Sequence, residues 1–320
     1  MRVLLTGGSG MVGGALLRLA PAVAPGLTLL APTRGRLDLT DRAAVARWFA
    51  ANRVDAVIHA AARVGGIQAN IDDPSGFLLD NLRMNDAVIA GADDAGVGRL
   101  VFLGSSCMYP RDYRQPLVED DVLAAPLEPT NEGYALAKIT GARLCEYISR
   151  KPGRAYRTLL PCNLFGAGDH YGSEASHLLA AVVTKVVDAQ AQGRDEIEVW
   201  GTGRARREFL DVDHLARFIL AALPGIEDLP PLLNVGAGRD HAVDDLYRIV
   251  AERAGWTGRL VHDPTRPEGM QAKLMSSDRA RAFGWMPPTE AEFMASIDAA
   301  LSARRRQVGP GDVEVRSPGA

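Results

Sequence analysis

The chain has 320 residues, 47% hydrophobic and 23% charged, with 36 basic and 39 acidic side chains and a net charge of -3. This is length enough for one large or two closely packed folding units, and the charge balance argues against nucleic acid or an acidic membrane as partner. No apolar run approaches the ~20 residues that cross a bilayer, the chain enters its first strand with no room for a secretion signal, and the cysteines at 107, 145 and 162 lack metal-ligand spacing. A cytoplasmic protein without a bound metal is expected.

Residues Arg2 to Thr6 read as an apolar strand, followed by Gly7-Gly8-Ser9-Gly10-Met11-Val12-Gly13 and a helical run from Ala15 to Ala20. Gly7, Gly10 and Gly13 have the spacing of a dinucleotide turn: a tight bend, a close approach of backbone to pyrophosphate, and close helix-on-strand packing. Met11 and Val12 lie in that turn, where free N–H groups and the helix dipole favour an anion. The second strand, Leu27 to Ala31, runs into Pro32-Thr33-Arg34-Gly35-Arg36 with no carboxylate until Asp38. An acidic residue at the strand end would select NAD; Arg34 or Arg36 pairing with a 2′-phosphate favours NADP instead. The alternative is that both arginines only solvate the loop. Asp38 and Leu39 would lie under the adenine.

Further strands are expected at Ala56–Ala60, Arg99–Leu103 and Arg157–Pro161, with helices at Arg42–Asn52, Phe77–Gly96 and Asn131–Lys151 between them. The alternation predicts an α/β fold, a Rossmann-type doubly wound parallel sheet covered by helices. Ligands bind such sheets beyond the strands' carboxyl ends, the edge that receives Ser105-Ser106-Cys107 and Pro161-Cys162-Asn163-Leu164.

Beyond Asn163 come a loop from Gly166 to His177, a helix at Leu178–Ala191, a second helix from Val212, and a strand and turn at Asn234-Val235-Gly236. Residues 1–165, with a return strand near 209–236, are expected to form the dinucleotide unit. Residues 166–300 would form mainly a smaller α/β substrate unit, and the polar, Gly- and Pro-containing stretch 304–320 a disordered tail.

The chemistry-bearing pattern is Tyr134-Ala135-Leu136-Ala137-Lys138, some thirty residues after Gly104-Ser105-Ser106-Cys107-Met108-Tyr109-Pro110. A Tyr four residues before a Lys on a helix shares its face, and the ammonium is expected to stabilise the phenolate and help the phenol transfer a proton. Ser105, at a strand end, supplies a second hydroxyl to the same oxygen. The trio suits protonation of a carbonyl as hydride arrives from a nicotinamide.

These segments resemble the extended short-chain dehydrogenase/reductase family, and within it the GDP-L-fucose synthase group. The likeness is carried also by Ala62-Arg63-Val64-Gly65-Gly66-Ile67, Leu127-Glu128-Pro129-Thr130-Asn131-Glu132, Trp200-Gly201-Thr202-Gly203 and Arg207-Glu208-Phe209-Leu210, and it extends to about Trp285. The resemblance implies a GDP-linked 4-keto-6-deoxy sugar as substrate, NADPH as reductant and a homodimer formed through Asn81–Ala92 and Tyr134–Tyr147. It implies epimerisation at C3 and C5 by Cys107 and His177, then reduction at C4 by Ser105, Tyr134 and Lys138. It also places Arg207 on the diphosphate, Trp200 near the base or sugar, and Lys273 in the same pocket. Gly8-Ser9 stands where the group has His-Arg, which leaves NAD open as cofactor. Gly133 replaces a Pro, and Ser276 an Asp. The same residues would serve a deoxyheptose or colitose precursor; a redox-neutral 4-epimerase would need no Cys and His pair, and a silent nucleotide-binding module would not need the Tyr and Lys.

Overall fold

The computed structural model describes residues 1–169, 171, 177–266 and 269–308. In chain order the first half contains β1 (Arg2–Thr6), α1 (Met11–Val23), β2 (Thr28–Leu30), α2 (Arg42–Ala51), β3 (Ala56–His59), α3 (Ile67–Asp72) and α4 (Pro74–Asn85). A wider turn at Asp86–Ala90 joins α4 to α5 (Gly91–Asp94), so the helix expected over Phe77–Gly96 is interrupted. Then follow β4 (Arg99–Leu103), α6 (Glu132–Ile148) and β5 (Ala155–Pro161). The second half holds β6 (Asn163–Phe165), α7 (Leu178–Ala191), β7 (Glu196–Trp200), β8 (Arg206–Asp211), α8 (Val212–Ala222), β9 (Leu232–Val235), β10 (Asp240–Ala242), α9 (Val243–Ala254), β11 (Arg259–Asp263), β12 (Ala272–Lys273), α10 (Asp278–Arg281) and α11 (Glu290–Val308).

The main sheet has the order β2-β1-β3-β4-β5-β9, every pair parallel. Helices on both faces bury the central strands, which explains their near-continuous apolar sequence: Val3, Leu4, Leu5, Val57, Ile58, Leu100 and Phe102 are inaccessible or nearly so, while the edge strand β2 stays partly open. The strand order reverses between β1 and β3, so the ligand crevice opens at their carboxyl ends.

A single residue, Cys162, separates β5 from β6, which leaves the main sheet and pairs with β8. β8 also takes β10 antiparallel and β12 parallel, while β7 pairs with β11. A second apolar core, with Phe165, Val183, Phe209, Leu246 and Phe293, lies under these strands between α7, α9 and α11. The return to the main sheet begins with α8 at Val212, later than the expected 209, because residues 206–211 belong to the small sheet. α11 runs through Val308, so residues 304–308 of the expected tail are helical; residues 309–320 lie outside the described residues.

α6 sits unusually close to its neighbours because its inner face is small: Ala135, Ala137, Gly141 and Ala142 are buried. A Cβ at Gly141 would come within 2.6 Å of the Phe102 ring, and one at Gly133 within 2.5 Å of the Pro74 carbonyl. The Gly that replaces Pro before Tyr134 therefore lets α6 begin against the start of α4.

Beneath the crevice, Thr6, His59 and Asn85 form a buried chain. Thr6 Oγ1 lies 2.7 Å from His59 Nδ1, His59 Nε2 lies 3.2 Å from Asn85 Oδ1, and the Asn85 amide donates to the Ala137 carbonyl at 3.0 Å. With its NH2 committed to Ala137, Asn85 presents its oxygen to His59, so Nε2 carries the proton and Nδ1 accepts from Thr6. Burial, aided by the nearby Lys138 charge, pushes the His59 pKa down to about 3. The unfolded chain takes up this proton near pH ~6.5 and the folded one far lower. Stability is thus complete above ~6.5 and should fall by about 1.4 kcal/mol per pH unit below it, toward 3. Urea unfolding at a series of pH values should show this slope, and His59→Gln should flatten it.

Candidate active site

At the end of β1, Gly7 takes φ +74° and lies so near β3's exit that a Cβ would meet the Ala61 nitrogen at 2.7 Å. A Cβ at Gly13 would run into the Gly7 carbonyl oxygen. Gly10 stands at the N-cap of α1 with no side chain capping it, and Met11 and Val12 open the helix. Its first N–H groups point at the crevice edge, and the cradle fits a dinucleotide pyrophosphate. Gly8 packs on Ala31 just after β2: a Cβ there would lie 2.9 Å from the alanine methyl. Arg34 and Arg36 are exposed on the following loop. Asp38 is exposed on that loop, its Oδ1 accepting from the Thr40 N–H and hydroxyl at 2.9 and 2.7 Å. The Thr40 bonds, and then the Arg34 charge, hold its carboxyl below the usual range.

The end of β4 carries the reactive segment. Ser105 caps a short turn, accepting from the Cys107 N–H at 3.2 Å, and both side chains are half-buried. Tyr109, at the far end of the segment, is fully buried and donates to Asn234 Oδ1 at 2.5 Å. Asn234 in turn donates its N–H to Glu119 and its amide to the carbonyls of Leu117 and Ser276. The Cys107 segment is thereby anchored to β9, to the Leu117–Glu119 stretch and to the loop at Ser276.

α6 brings Tyr134 and Lys138 to this place. Lys138 is 2% exposed, its Nζ donating to the Leu103 carbonyl at 2.7 Å and lying 5.7 Å from the Tyr134 ring centre. Burial lowers its pKa to about 8, against the pull of the Cys107 sulfur. The phenol moves the other way. Burial raises it, the Cys107 sulfur adds to the rise, and a hydrogen bond with Ser105 only partly offsets both. The upward shift favours the protonated phenol, the form that can give a proton to a carbonyl oxygen.

The Cys107 sulfur accepts a hydrogen bond from the Asn131 amide at 3.2 Å. His177 stands at the N-cap of α7 and its side chain does not cap the helix; residues 172–176, just before it, lie outside the described residues. Pro161 ends β5, and Asn163 uses its amide to hold the Glu208 carbonyl at 2.8 Å, with Leu164 beside it on β6. Arg207 and Lys273 are register partners across β8 and β12. Trp200 ends β7, exposed, with its indole N–H on Glu198 and the charges of Arg266 and Lys185 over its ring at 5.0 and 5.6 Å.

Two contributions have no role in the sequence pattern. Glu208, wholly buried, accepts from the backbone N–H groups of Ala237, Gly238 and Met275, and burial raises it to about 7. It staples the strand of Arg207 to the segment after Lys273. Asn131 is the other. Glu208 adjoins Arg207 in a motif, but only the fold reveals its burial. A cavity of about 640 Å³ lies at the opposite edge of the main sheet, lined by Arg53, Arg99, Arg154 and Glu227 among others. Arg99 pairs there with Glu227, and Arg154 with Asp93. It lies away from the strands' carboxyl ends and carries no reactive cluster.

A doubly wound parallel sheet, a glycine cradle at its switch point and a Ser–Tyr–Lys cluster at the next strand end define the class of nicotinamide-dependent short-chain dehydrogenases and reductases. Comparison with known proteins agrees. The model of the NAD dependent epimerase/dehydratase family matches residues 3–236. A GDP-L-fucose synthase of Azorhizobium caulinodans is 44% identical over 91% of this chain and 93% of its own. A GDP-L-colitose synthase of Yersinia pseudotuberculosis is 40% identical over 91% and 94%. Among solved structures, the GDP-mannoheptose C4 reductase of Campylobacter jejuni with NADP bound superposes with a TM-score of 0.84 at 28% identity, covering 95% of this chain and 97% of that one. The chain belongs to the NAD dependent epimerase/dehydratase family, as an extended short-chain dehydrogenase/reductase similar to GDP-L-fucose synthases.

Cys145 and Cys162 are buried and burial raises both thiols, whereas Cys107 is partly open. Iodoacetamide on the native protein should therefore label one cysteine, and mass spectrometry of the digest should locate it at Cys107. Labelling of Cys145 or Cys162 at a similar rate would contradict this burial.

Proposed function

We propose that this protein converts GDP-4-keto-6-deoxy-D-mannose to GDP-L-fucose, by epimerisation at C3 and C5 followed by NADPH-dependent reduction at C4. The observation that carries the reading is the clustering of a half-buried thiol, Cys107, with Ser105, Tyr134 and Lys138. A plain reductase needs the last three and not the first. The relatives make the coarser statement firm: this is a GDP-sugar epimerase-reductase of the GDP-L-fucose synthase type.

Hydrogens on C3 and C5 lie next to the C4 carbonyl. Removing one breaks the C–H bond and sends its electron pair into an enolate on the carbonyl oxygen, where the Ser105 and Tyr134 hydroxyls stabilise it. Cys107 takes and His177 returns protons on opposite faces of the ring, which inverts the carbon. A bound dihydronicotinamide would supply the hydride that reduces C4. Tyr134 gives its proton to the ketone oxygen, and Lys138, fixed by the Leu103 carbonyl, neutralises the phenolate left behind. The cradle of Gly7, Gly10, Met11, Val12 and Gly13 holds the cofactor diphosphate, with Asp38, Pro161, Asn163 and Leu164 along its length. Arg34 and Arg36 favour NADP, the cofactor bound in the heptose reductase; NAD remains the comparison to run. Arg207 and Lys273 suit the diphosphate of GDP, and Trp200 a base or sugar face.

The two-sheet arrangement supports residues 1–165 with the return strand as the cofactor unit and 166–300 as mainly the substrate unit. Among the described residues no cluster is placed to hold a metal, and no helix is long and apolar enough to cross a membrane.

Turnover with NADPH in deuterated water should give GDP-L-fucose deuterated at C3 and C5. Tyr134→Phe should slow reduction by roughly 10²-fold or more with a smaller loss of exchange, since Ser105 still meets the enolate oxygen, and Cys107→Ser should cost exchange more than reduction. Reduction without deuterium at those carbons defeats the epimerase half. The 40% identity to a colitose synthase makes its 4-keto precursor the second substrate to try.

We further propose a homodimer through the outer faces of α4 and α6, where Leu79, Leu136 and Tyr147 are 47%, 38% and 55% exposed. Leu136→Arg should then convert a dimer to a monomer in size-exclusion chromatography with light scattering; an unchanged state would place the contact elsewhere.

A further inference from the structure

We infer that Asn131 is a catalytic residue of the epimerisation: its amide N–H steadies the Cys107 sulfur as that sulfur takes a proton, and its oxygen accepts a hydroxyl of the bound pyranose. The inference rests on the reading of Cys107 as an acid–base group.

Asn131 occupies the N-cap of α6, the position where an Asn side chain ordinarily accepts from the helix's first N–H groups. Here it makes no such bond. The backbone N–H of Asn131 closes on the Glu128 carbonyl at 3.2 Å, so the residue's own backbone is fixed by the Glu128–Asn131 turn. The side chain is turned off the helix axis instead, and Nδ2 donates to Cys107 Sγ at 3.2 Å. A stabilising cap has been given up for a contact with the one thiol that faces the crevice.

The other end of the same amide supplies the second observation. Asn131 Oδ1 is buried and accepts no hydrogen bond among the described residues. Buried acceptors are almost always paired, since an unpaired one loses its water without compensation. Cys107 and Tyr134 lie on the same side of the α6 start, each within electrostatic reach of the other. The donor that fits Oδ1 is thus a group a sugar brings, a ring hydroxyl beside the carbon that loses its proton.

An N–H at the sulfur and an acceptor at a neighbouring hydroxyl do two things for one step. When the C–H bond breaks, its proton passes to sulfur and its electron pair to the C4 carbonyl oxygen. Before that, the N–H favours the sulfur in its anionic form, as any donor aimed at a charged acceptor does. The oxygen fixes the ring so that the C–H points at the sulfur. Reduction at C4 uses neither contact.

The experiment is solvent exchange and NADPH oxidation measured side by side on GDP-4-keto-6-deoxy-D-mannose in deuterated water. Asn131→Asp keeps the shape and replaces the donor to sulfur with an acceptor. Asn131→Ser removes both contacts and restores a strong helix cap, so it guards against a variant that merely fails to fold. Both should lower deuterium entry at C3 and C5 by about 10²-fold while NADPH oxidation by the unepimerised ketone persists within about threefold. Parallel loss of exchange and oxidation in both variants would make Asn131 a structural residue at the helix start and overturn the inference. Undiminished exchange in either would overturn it as well. Wild-type enzyme that exchanges nothing would instead defeat the epimerase reading itself, and this inference with it.

Discussion

A buried ammonium governs how this site is built. Lys138 has lost nearly all its water, and the Leu103 carbonyl at the end of β4 is the hydrogen-bond partner the structure gives it. A charge so desolvated is tolerated only with close, well-directed partners. α6 must therefore lie against the strand end within narrow limits, and the glycines and alanines of its inner face are what permit it. The same closeness brings Tyr134 under the Ser105 hydroxyl and aims the helix start at Cys107. Burial then acts on the two groups in opposite senses, lowering the ammonium and raising the phenol. The pair is set as a proton donor with a cation that can answer the charge it leaves, and a bound dinucleotide adds its own charge to that balance.

The second half of the chain depends on a different economy of connection. One residue, Cys162, separates a strand of the main sheet from a strand of the small one. Asn163 locks that crossing by donating to the Glu208 carbonyl, while the Glu208 carboxyl gathers backbone N–H groups from the turn after β9 and from the segment after β12. The pairing of Arg207 with Lys273 is thus supported by a buried carboxyl on the opposite face of β8. Phe209, two residues along from Arg207, is sunk in the second apolar core.

Much of this was legible in the amino acids, and for a physical reason. Strands buried on both faces read as short apolar runs, so β4 was expected at Arg99–Leu103 and found there; α7 likewise matched at Leu178–Ala191. The glycine spacing and the Tyr-to-Lys spacing are fixed by local geometry and survive translation into three dimensions. What failed depends on neighbours. The wide turn at Asp86–Ala90 leaves no mark in an apolar helical pattern, and strands of two or three residues such as β12 and β10 exist only because β8 lies alongside. The last helix runs past the point where Arg304, Arg305 and Arg306 suggested solvent, because Arg304 pairs with Asp188 of α7. The phenol's upward shift was missed for the same reason: spacing shows that a Lys is near, not that water is gone.

Asn131 marks the boundary between the two kinds of knowledge. From sequence it is a helix cap, and the rule that says so is sound. In the folded chain the thiol competes for the same amide and wins, leaving the carbonyl oxygen buried without a donor among the described residues. The relatives similar to this chain are named for GDP-linked fucose, colitose and mannoheptose, sugars that share the nucleoside diphosphate and differ in the ring. Discrimination among their sugars has to come from groups that meet ring hydroxyls. A buried amide oxygen beside the acid–base thiol is such a group, and it ties recognition of the ring to the proton transfer performed on it.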